Sequence, residues 1–275
     1  MGQKDNKVGD NPEAMASAAA LKAAKKELRT LMKKRLSDIS PESINSQSRL
    51  LSQNLSHYTN YLVGSAAFKV ITSFKPYQEA KRVGIYLSMP TSEMQTDAIV
   101  RHALQSGKRV FVPYLHKSQN PTPDTPKSVM DMVNLHSLSD YESLKRDSWG
   151  IPTISVDTVD QREHVLQRGN EALDMILMPG VAFDIDPERG YVRRLGHGKG
   201  FYDYFLHRYM ESKGSHGTAP AESPTRDVLL YGLALEEQYL KPGTGSSVPV
   251  GEYDSLLHGL VVGDGKLLEG PVKRE

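Results

Sequence analysis

Five short apolar runs constrain this chain more than any other feature: Arg82-Val83-Gly84-Ile85-Tyr86-Leu87, Val110-Phe111-Val112-Pro113-Tyr114, Met175-Ile176-Leu177-Met178-Pro179-Gly180, Val228-Leu229-Leu230-Tyr231-Gly232-Leu233-Ala234 and Leu260-Val261-Val262. They lack the in-and-out alternation of a half-exposed strand, so each reads as a strand buried on both faces. Thr96-Asp97 resembles a helix start and Gly107 its stop, so the first two runs bracket a helix. Strand, helix, strand is the crossover that joins parallel neighbours. The expected fold class is α/β, a mostly parallel sheet flanked by helices. Ahead of it, residues 17–36 have helical period. Leu21, Leu28, Leu31, Met32 and Leu36 form an apolar stripe, and Lys22, Lys25, Lys26, Arg29, Lys33 and Arg35 fill the rest. Pro41 suits the first position of a second helix running to about residue 62, so a helical pair is expected before the first strand. Residues 130–135 alternate like a half-buried strand behind an exposed loop over 116–127, and 210–227 reads as a mobile surface loop. Residues 1–16 are expected to be a disordered tail, with least to bury over 1–11, and 17–275 a single domain.

Composition narrows the function. A length of 275 residues suits one α/β domain more simply than two small ones. Thirty-four Lys plus Arg against 33 Asp plus Glu leave a net charge of +1, so no global field draws the protein to nucleic acid or anionic membrane. With no cysteine, disulfides, thiolate nucleophiles, Cys zinc sites and iron–sulfur clusters are excluded together. Mean hydropathy is −0.47, and no apolar run approaches the roughly 20 residues that span a bilayer. The N-terminal stretch lacks the apolar core of a signal peptide and carries Asp5, Asp10 and Glu13, unlike acid-poor transit peptides. The expectation is a cytoplasmic monomer acting on small molecules, without nucleic-acid or membrane partners.

The densest chemistry follows the third apolar run, where glycines alternate with large residues in Arg194-Leu195-Gly196-His197-Gly198-Lys199-Gly200-Phe201-Tyr202-Asp203. Glycines so spaced let backbone N–H groups converge on an anion, and a helix starting at Phe201 would aim its positive end at the same point. Arg194 and Lys199 add charge. The loop is not a Walker A motif, because Gly200 follows Lys199, nor G-x-G-x-x-G, because Phe201 stands where the third glycine belongs. On spacing alone, a polyphosphate cradle competes with a flexible, charged turn.

The wider pattern resembles the 5-formyltetrahydrofolate cyclo-ligase family, also called 5,10-methenyltetrahydrofolate synthetases. The resemblance rests on Lys25-Lys26-Glu27-Leu28-Arg29, on Tyr86-Leu87-Ser88-Met89 with Glu93 and Thr96 behind it, and on Ser148-Trp149-Gly150-Ile151-Pro152. It rests further on Met178-Pro179-Gly180-Val181-Ala182-Phe183-Asp184 with the glycine run, and on Val248-Pro249-Val250 ahead of Asp254. These fall in the family's order from about residue 20 to about residue 267. The segment before Arg194 and the 210–227 loop are longer than usual there, and Gln95 stands where an acidic residue is common.

The resemblance implies an α/β ligase that converts 5-formyltetrahydrofolate and ATP to 5,10-methenyltetrahydrofolate, ADP and phosphate with Mg²⁺, through phosphoryl activation of the formyl oxygen. By matched position, Lys25 and Arg29 would contact the ATP phosphates, being four apart on one helix face. Arg194, Leu195, Gly196, His197, Gly198, Lys199, Gly200, Phe201 and Tyr202 would wrap the triphosphate, with Arg194 and Lys199 as catalytic clamps. Leu87 and Glu93 would line the folate site, and His197, Gly198, Lys199, Gly200 and Phe201 would border the formyl group. Asp203 and Asp254 would hold the metal. Without the resemblance, the Lys25–Arg29 face is a solvated basic surface, Asp203 an ordinary helix-start carboxylate, Glu93 a helix-entry charge and Trp149 core packing. An ATP- or sugar-phosphate-using α/β enzyme of other substrate is the alternative reading, and a nucleic-acid-binding module using the basic helix is a third.

Overall fold

A computed structural model describes residues 12–48, 66–118, 126–167, 169–213, 224–225 and 228–271. All five apolar runs are strands of one sheet: β1 (Arg82–Ile85), β2 (Arg109–Lys117), β6 (Met175–Met178), β9 (Leu229–Ala234) and β10 (Gly259–Val262). They are parallel to one another. β3 (Ser128–Asn134) and β11 (Leu267–Glu269) close the edges antiparallel, giving the order β11-β10-β9-β6-β1-β2-β3. Every residue of β1, β6 and β10 is buried, as unbroken apolar runs require when helices cover both faces.

The first crossover follows the expected punctuation. α5 (Asp97–Gln105) links β1 to β2, and Gly107 sits at φ 75°, the left-handed conformation that stops a helix. On one face, Ile71, Tyr77, Ile99 and Val100 of α3 (Ala66–Ser73), α4 (Lys75–Glu79) and α5 pack with Val83, Ile85 and Leu177 of the sheet. On the other, Phe205, Leu206 and Tyr209 of α8 (Phe201–Ser212) pack with Phe111, Ile176 and Leu230. Short elements complete the chain: α6 (Leu138–Glu142), the β4 (Lys145–Arg146) and β5 (Pro152–Thr153) pair, α7 (Val156–Val159), and the hairpin of β7 (Ala182–Ile185) and β8 (Val192–Leu195).

Several expectations need correction. α1 runs Pro12–Ser37, so residues 12–16 are helical, Pro12 serving as a first-turn proline; 1–11 lie outside the described residues. Leu28, Met32 and Leu36 of its stripe are buried, but Leu31, one position off that face, is exposed. α2 is Pro41–Ser48, and the rest of the helix expected to residue 62 falls outside the described residues. Four described helices, not two, precede β1; α3 and α4 are too short for a helical period to stand out. Of the loop expected over 116–127, His116 and Lys117 are instead strand, because β2 continues to Lys117 paired with Ser128, and 119–125 lie outside the described residues. Pro113 is tolerated there because β1 pairs β2 only as far as Phe111, so no neighbour needs its missing N–H. Of the 210–227 loop, 210–212 belong to α8, and 214–223 and 226–227 lie outside the described residues. Among the described residues, no helix is long and apolar enough to cross a membrane.

Chain order reverses between β1 and β6, because the chain leaves β1 toward β2 and then resumes on β1's other side. In open α/β sheets the crevice beyond the carboxyl ends of such strands is the favoured ligand site. The loop leaving β1 contains Glu93, and the loop leaving β6 leads through Pro179 and Gly180 into the β7–β8 hairpin.

Candidate active site

The glycine run bridges β8 and α8. Gly198 and Gly200 adopt φ 92° and 68°, left-handed values that an L side chain rarely takes, and Gly200 is the residue from which α8 starts. Their presence turns the loop so that the N-terminus of a twelve-residue helix faces the crevice. The β7–β8 hairpin carries Arg194, and its frame is electrostatic. Buried Asp184 receives Arg193 Nε at 2.7 Å and the Val248 N–H at 2.9 Å, and this pairing holds the Arg193 guanidinium above its usual pKa.

α1 docks on that hairpin. Leu28, Met32 and Leu36, each four apart, pack with Val181, Ala182, Leu195 and Val248. The docking carries Lys25 and Arg29 over the loop. Arg29 Nε donates to the Gly196 carbonyl at 2.8 Å, and partial burial lowers the Arg29 pKa against the raising influence of Asp254. A Cβ placed on Gly198 would lie 3.2 Å from Arg29 Cζ, so guanidinium and loop are in close contact. Lys25 pairs with Asp254.

Arg194, expected as a clamp on phosphate, is buried beneath the loop. Its Nη2 contacts both oxygens of Asp203 at 2.9 and 3.0 Å, its Nη1 donates to the Pro179 carbonyl at 3.3 Å, and its guanidinium lies 5.6 Å from the Tyr202 ring centre. Lys199 is exposed on the loop and forms no ion pair with a described residue. The turn at 251–255 collects the two aspartates: the Gly251 N–H donates to Asp254 Oδ2 at 2.6 Å and the Ser255 N–H to Asp203 Oδ1 at 3.2 Å. Among the described residues no three His, Asp or Glu side chains cluster as a metal site. Mg²⁺ commonly takes only one or two carboxylates beside phosphate and water, so this pair of hard oxygen donors fits it.

The β1 loop supplies the other wall. Glu93 is buried, with the Met89 N–H donating to Oε2 at 3.0 Å and His197 Nε2 lying 3.2 Å from Oε1. Burial first and the Glu93 carboxylate second raise both the Tyr86 and Tyr202 phenols well above their ordinary pKa. Leu87 is buried in the apolar cluster against which Tyr202 packs. The contacts therefore join Lys25, Arg29, Gly196, His197, Gly198, Glu93, Arg194, Tyr202, Asp203 and Asp254 into one site. Lys199 and Gly200 lie on the same loop, and Phe201 opens α8 with its ring against the apolar cluster on that face of the sheet. Trp149 is exposed rather than core.

Sequence reasoning missed the supports. Tyr86 lies under Glu93 and donates to the Met94 carbonyl at 2.6 Å. Ser92, immediately before Glu93, is held at φ 65°, a strained conformation of the kind that clusters at functional sites. The amide of buried Gln238 donates to the Ser92 and Gly180 carbonyls at 3.3 and 2.7 Å, tying the two walls together. A buried tyrosine and a distant glutamine carry no local signal, whereas Asp184 does, as a charge inside an apolar strand.

Fold and site together define an α/β protein whose glycine loop, helix start and basic side chains converge at the switch point of its sheet. The profile of the 5-formyltetrahydrofolate cyclo-ligase family matches residues 21–262, and the chain belongs to that family. A mouse 5-formyltetrahydrofolate cyclo-ligase is 34% identical over 238 residues, 86% of this chain and 93% of the mouse protein. A Caenorhabditis elegans protein described as a probable 5-formyltetrahydrofolate cyclo-ligase is 34% identical over 236 residues, 86% and 91% of the two chains. The NMR structure of Aquifex aeolicus 5,10-methenyltetrahydrofolate synthetase superposes with a TM-score of 0.54 at 22% identity, covering 91% of this chain and 95% of that one. That structural likeness bears on the fold.

Proposed function

We propose that this protein cyclises 5-formyltetrahydrofolate to 5,10-methenyltetrahydrofolate with ATP as co-substrate, releasing ADP and phosphate. The observation that supports it best is the 3.2 Å contact between His197 and Glu93, because it sets a buried carboxylate suited to a pterin against the loop suited to a triphosphate.

An N-formyl carbon is a weak electrophile and its oxygen a poor leaving group. In the proposed reaction the formyl oxygen attacks the γ-phosphorus and ADP departs. N10 then attacks the formyl carbon and gives up its proton to the departing phosphate, and the carbon–oxygen bond breaks as that phosphate leaves with its electron pair. No protein nucleophile is needed, so the work is alignment and charge neutralisation. Lys25, Arg29 and the backbone N–H groups of 196–200, backed by the start of α8, hold the triphosphate. Lys199, free on the loop, meets the charge that grows on the transferring group. Glu93 accepts from the pterin, and Leu87 and Tyr202 wall it. Arg194, engaged by Asp203 and Pro179, acts as a positioning residue more than as a clamp. Asp203 and Asp254 would hold Mg²⁺, which neutralises phosphate oxygens when bound.

One chain supplies every residue named, so the reading has a monomer acting on reduced folate and ATP, with no nucleic-acid partner. The test is the absorbance of the methenyl-folate chromophore when purified protein meets 5-formyltetrahydrofolate, ATP and Mg²⁺. Formation only with nucleotide present is expected, and turnover without nucleotide refutes the mechanism.

A further inference from the structure

We infer that His197 is a positioning residue that couples the two substrate sites, so that each substrate tightens the binding of the other; this rests on the reading above. Three contacts converge on one short stretch. Arg29 Nε holds the Gly196 carbonyl at 2.8 Å, Arg29 Cζ lies 3.2 Å from where a Cβ on left-handed Gly198 would sit, and between them His197 Nε2 reaches Glu93 Oε1 at 3.2 Å. A carboxylate only accepts, so the shared proton sits on Nε2. The imidazole is 48% exposed and the Glu93 side chain 7%, so the ring closes the solvent side of an otherwise buried acid.

The lone-pair arithmetic leaves Glu93 able to serve a ligand. Two oxygens offer about four acceptor sites, and the Met89 N–H and His197 take one on each oxygen. Two acceptor sites, one on each oxygen, are left over, the number that the adjacent ring N–H and amino N–H of a pterin would fill. His197 and Met89 thus fix the plane of the carboxylate in the orientation that two parallel hydrogen bonds require. The same His197 belongs to the loop that an anion would order through Arg29 and the backbone N–H groups. Whichever substrate binds first stiffens this shared stretch, and the second no longer meets that ordering cost. By linkage the effect is reciprocal.

The test measures the dissociation constant of 5-formyltetrahydrofolate by calorimetry on the full-length protein, with and without a non-hydrolysable ATP analogue and Mg²⁺. The parent is expected to bind folate roughly tenfold more tightly with the analogue present, within the usual range of coupling between sites. In His197→Ala the ratio falls to about one, and the affinity for the analogue alone, measured beside it, tells a loss of linkage from a plain loss of nucleotide binding. His197→Gln, which keeps a side-chain N–H donor, restores part of the ratio. A parent-like ratio in His197→Ala, or a parent that turns over normally with no coupling, overturns the inference and leaves the reaction standing. A parent that neither binds folate nor forms the chromophore overturns the reaction itself.

Discussion

Gly198 and Gly200 offer a matched pair of perturbations, because the structure separates backbone strain from crowding between them. Both are left-handed, at φ 92° and 68°, and forcing alanine into that region costs about 1–2 kcal/mol. At Gly200 nothing lies within 4 Å of the added Cβ, so strain is the whole effect. At Gly198 the Cβ would lie 3.2 Å from Arg29 Cζ and 3.3 Å from Nε, the atom that donates to Gly196. Displacing the guanidinium weakens a charge-assisted bond worth about 1.5 kcal/mol or more, of which we assign about 1 to the shift. Gly198→Ala should therefore lose about 2–3 kcal/mol of nucleotide-bound, competent loop, raising the ATP KM roughly 30- to 160-fold. Gly200→Ala should raise it about five- to 30-fold. Steady-state kinetics with ATP varied at saturating folate gives both numbers, with thermal unfolding as the control for fold. An ATP KM within threefold of the parent in Gly198→Ala refutes the reasoning. So does a Gly200→Ala effect as large as that of Gly198→Ala, since crowding by Arg29 would then count for nothing.

Lys199→Met keeps the apolar stem and removes the charge, and one lost charged donor to a developing oxyanion is worth about 3 kcal/mol, so turnover should fall about a hundredfold with folate affinity little changed; turnover within a few-fold of the parent shows the ammonium to be idle. His258, buried between β9 and β10 with Nδ1 accepting the Leu230 N–H at 2.9 Å, is driven down to about 4 by burial. The unfolded chain takes up that proton near 6.5, so stability is full above pH 6.5 and falls between 6.5 and 4 by up to about 3 kcal/mol. Urea unfolding of the parent against His258→Gln, which cannot titrate, should show that loss in the parent alone, and equal losses in both contradict it. Asp184→Asn leaves half-buried Arg193 only the 3.8 Å contact with Asp186 in the hairpin and should destabilise by about 3 kcal/mol in the same assay; a change below about 0.5 kcal/mol shows the pair to be surface-like.

The five apolar runs made the parallel core legible, because burial on both faces leaves no polar residue to interrupt them. One edge, β3, was legible in the alternation over 130–135, while the other edge and the full length of β2 were not. β11 is three residues long, and β2 runs on through Pro113 and His116, types that argue against a strand until one sees that β1 has already ended. The glycine loop could be read from the chain because left-handed backbone demands glycine locally. The support from Gln238 could not, because it reaches the Ser92 and Gly180 carbonyls across 146 and 58 residues of chain. Gln95 shows the difference. It stands where an acidic residue is common in the family, and its amide donates to the Met89 and Glu93 carbonyls at 2.8 and 3.0 Å. A carboxylate could make neither bond. The residue thus braces the turn around Glu93 through donors, a role that only the folded geometry displays.

The pairing of the two aspartates bears on when a metal can bind under the proposed function. Both Asp203 oxygens lie on Arg194 Nη2, one of them also on the Ser255 N–H, and Asp254 Oδ2 is shared by Lys25 and the Gly251 N–H. Each carboxylate is already neutralised, so free Mg²⁺ must compete with a protein cation at both, and it gives up hydration water reluctantly. A nucleotide changes the balance, because its phosphates offer Lys25 an alternative anion and offer the metal further oxygen ligands. Mg²⁺ is therefore expected to bind weakly alone and at least tenfold more tightly together with a non-hydrolysable ATP analogue, about 1.4 kcal/mol of coupling. Calorimetric titration of Mg²⁺ into the protein with and without the analogue, corrected for metal bound by the analogue itself, measures it. Asp254→Asn should lose most of the increment, because it removes one hard ligand while freeing Lys25 for phosphate. Equal Mg²⁺ affinity in the two titrations would show that the ion pairs do not compete with the metal, and the metal would then have to be assigned to other oxygens.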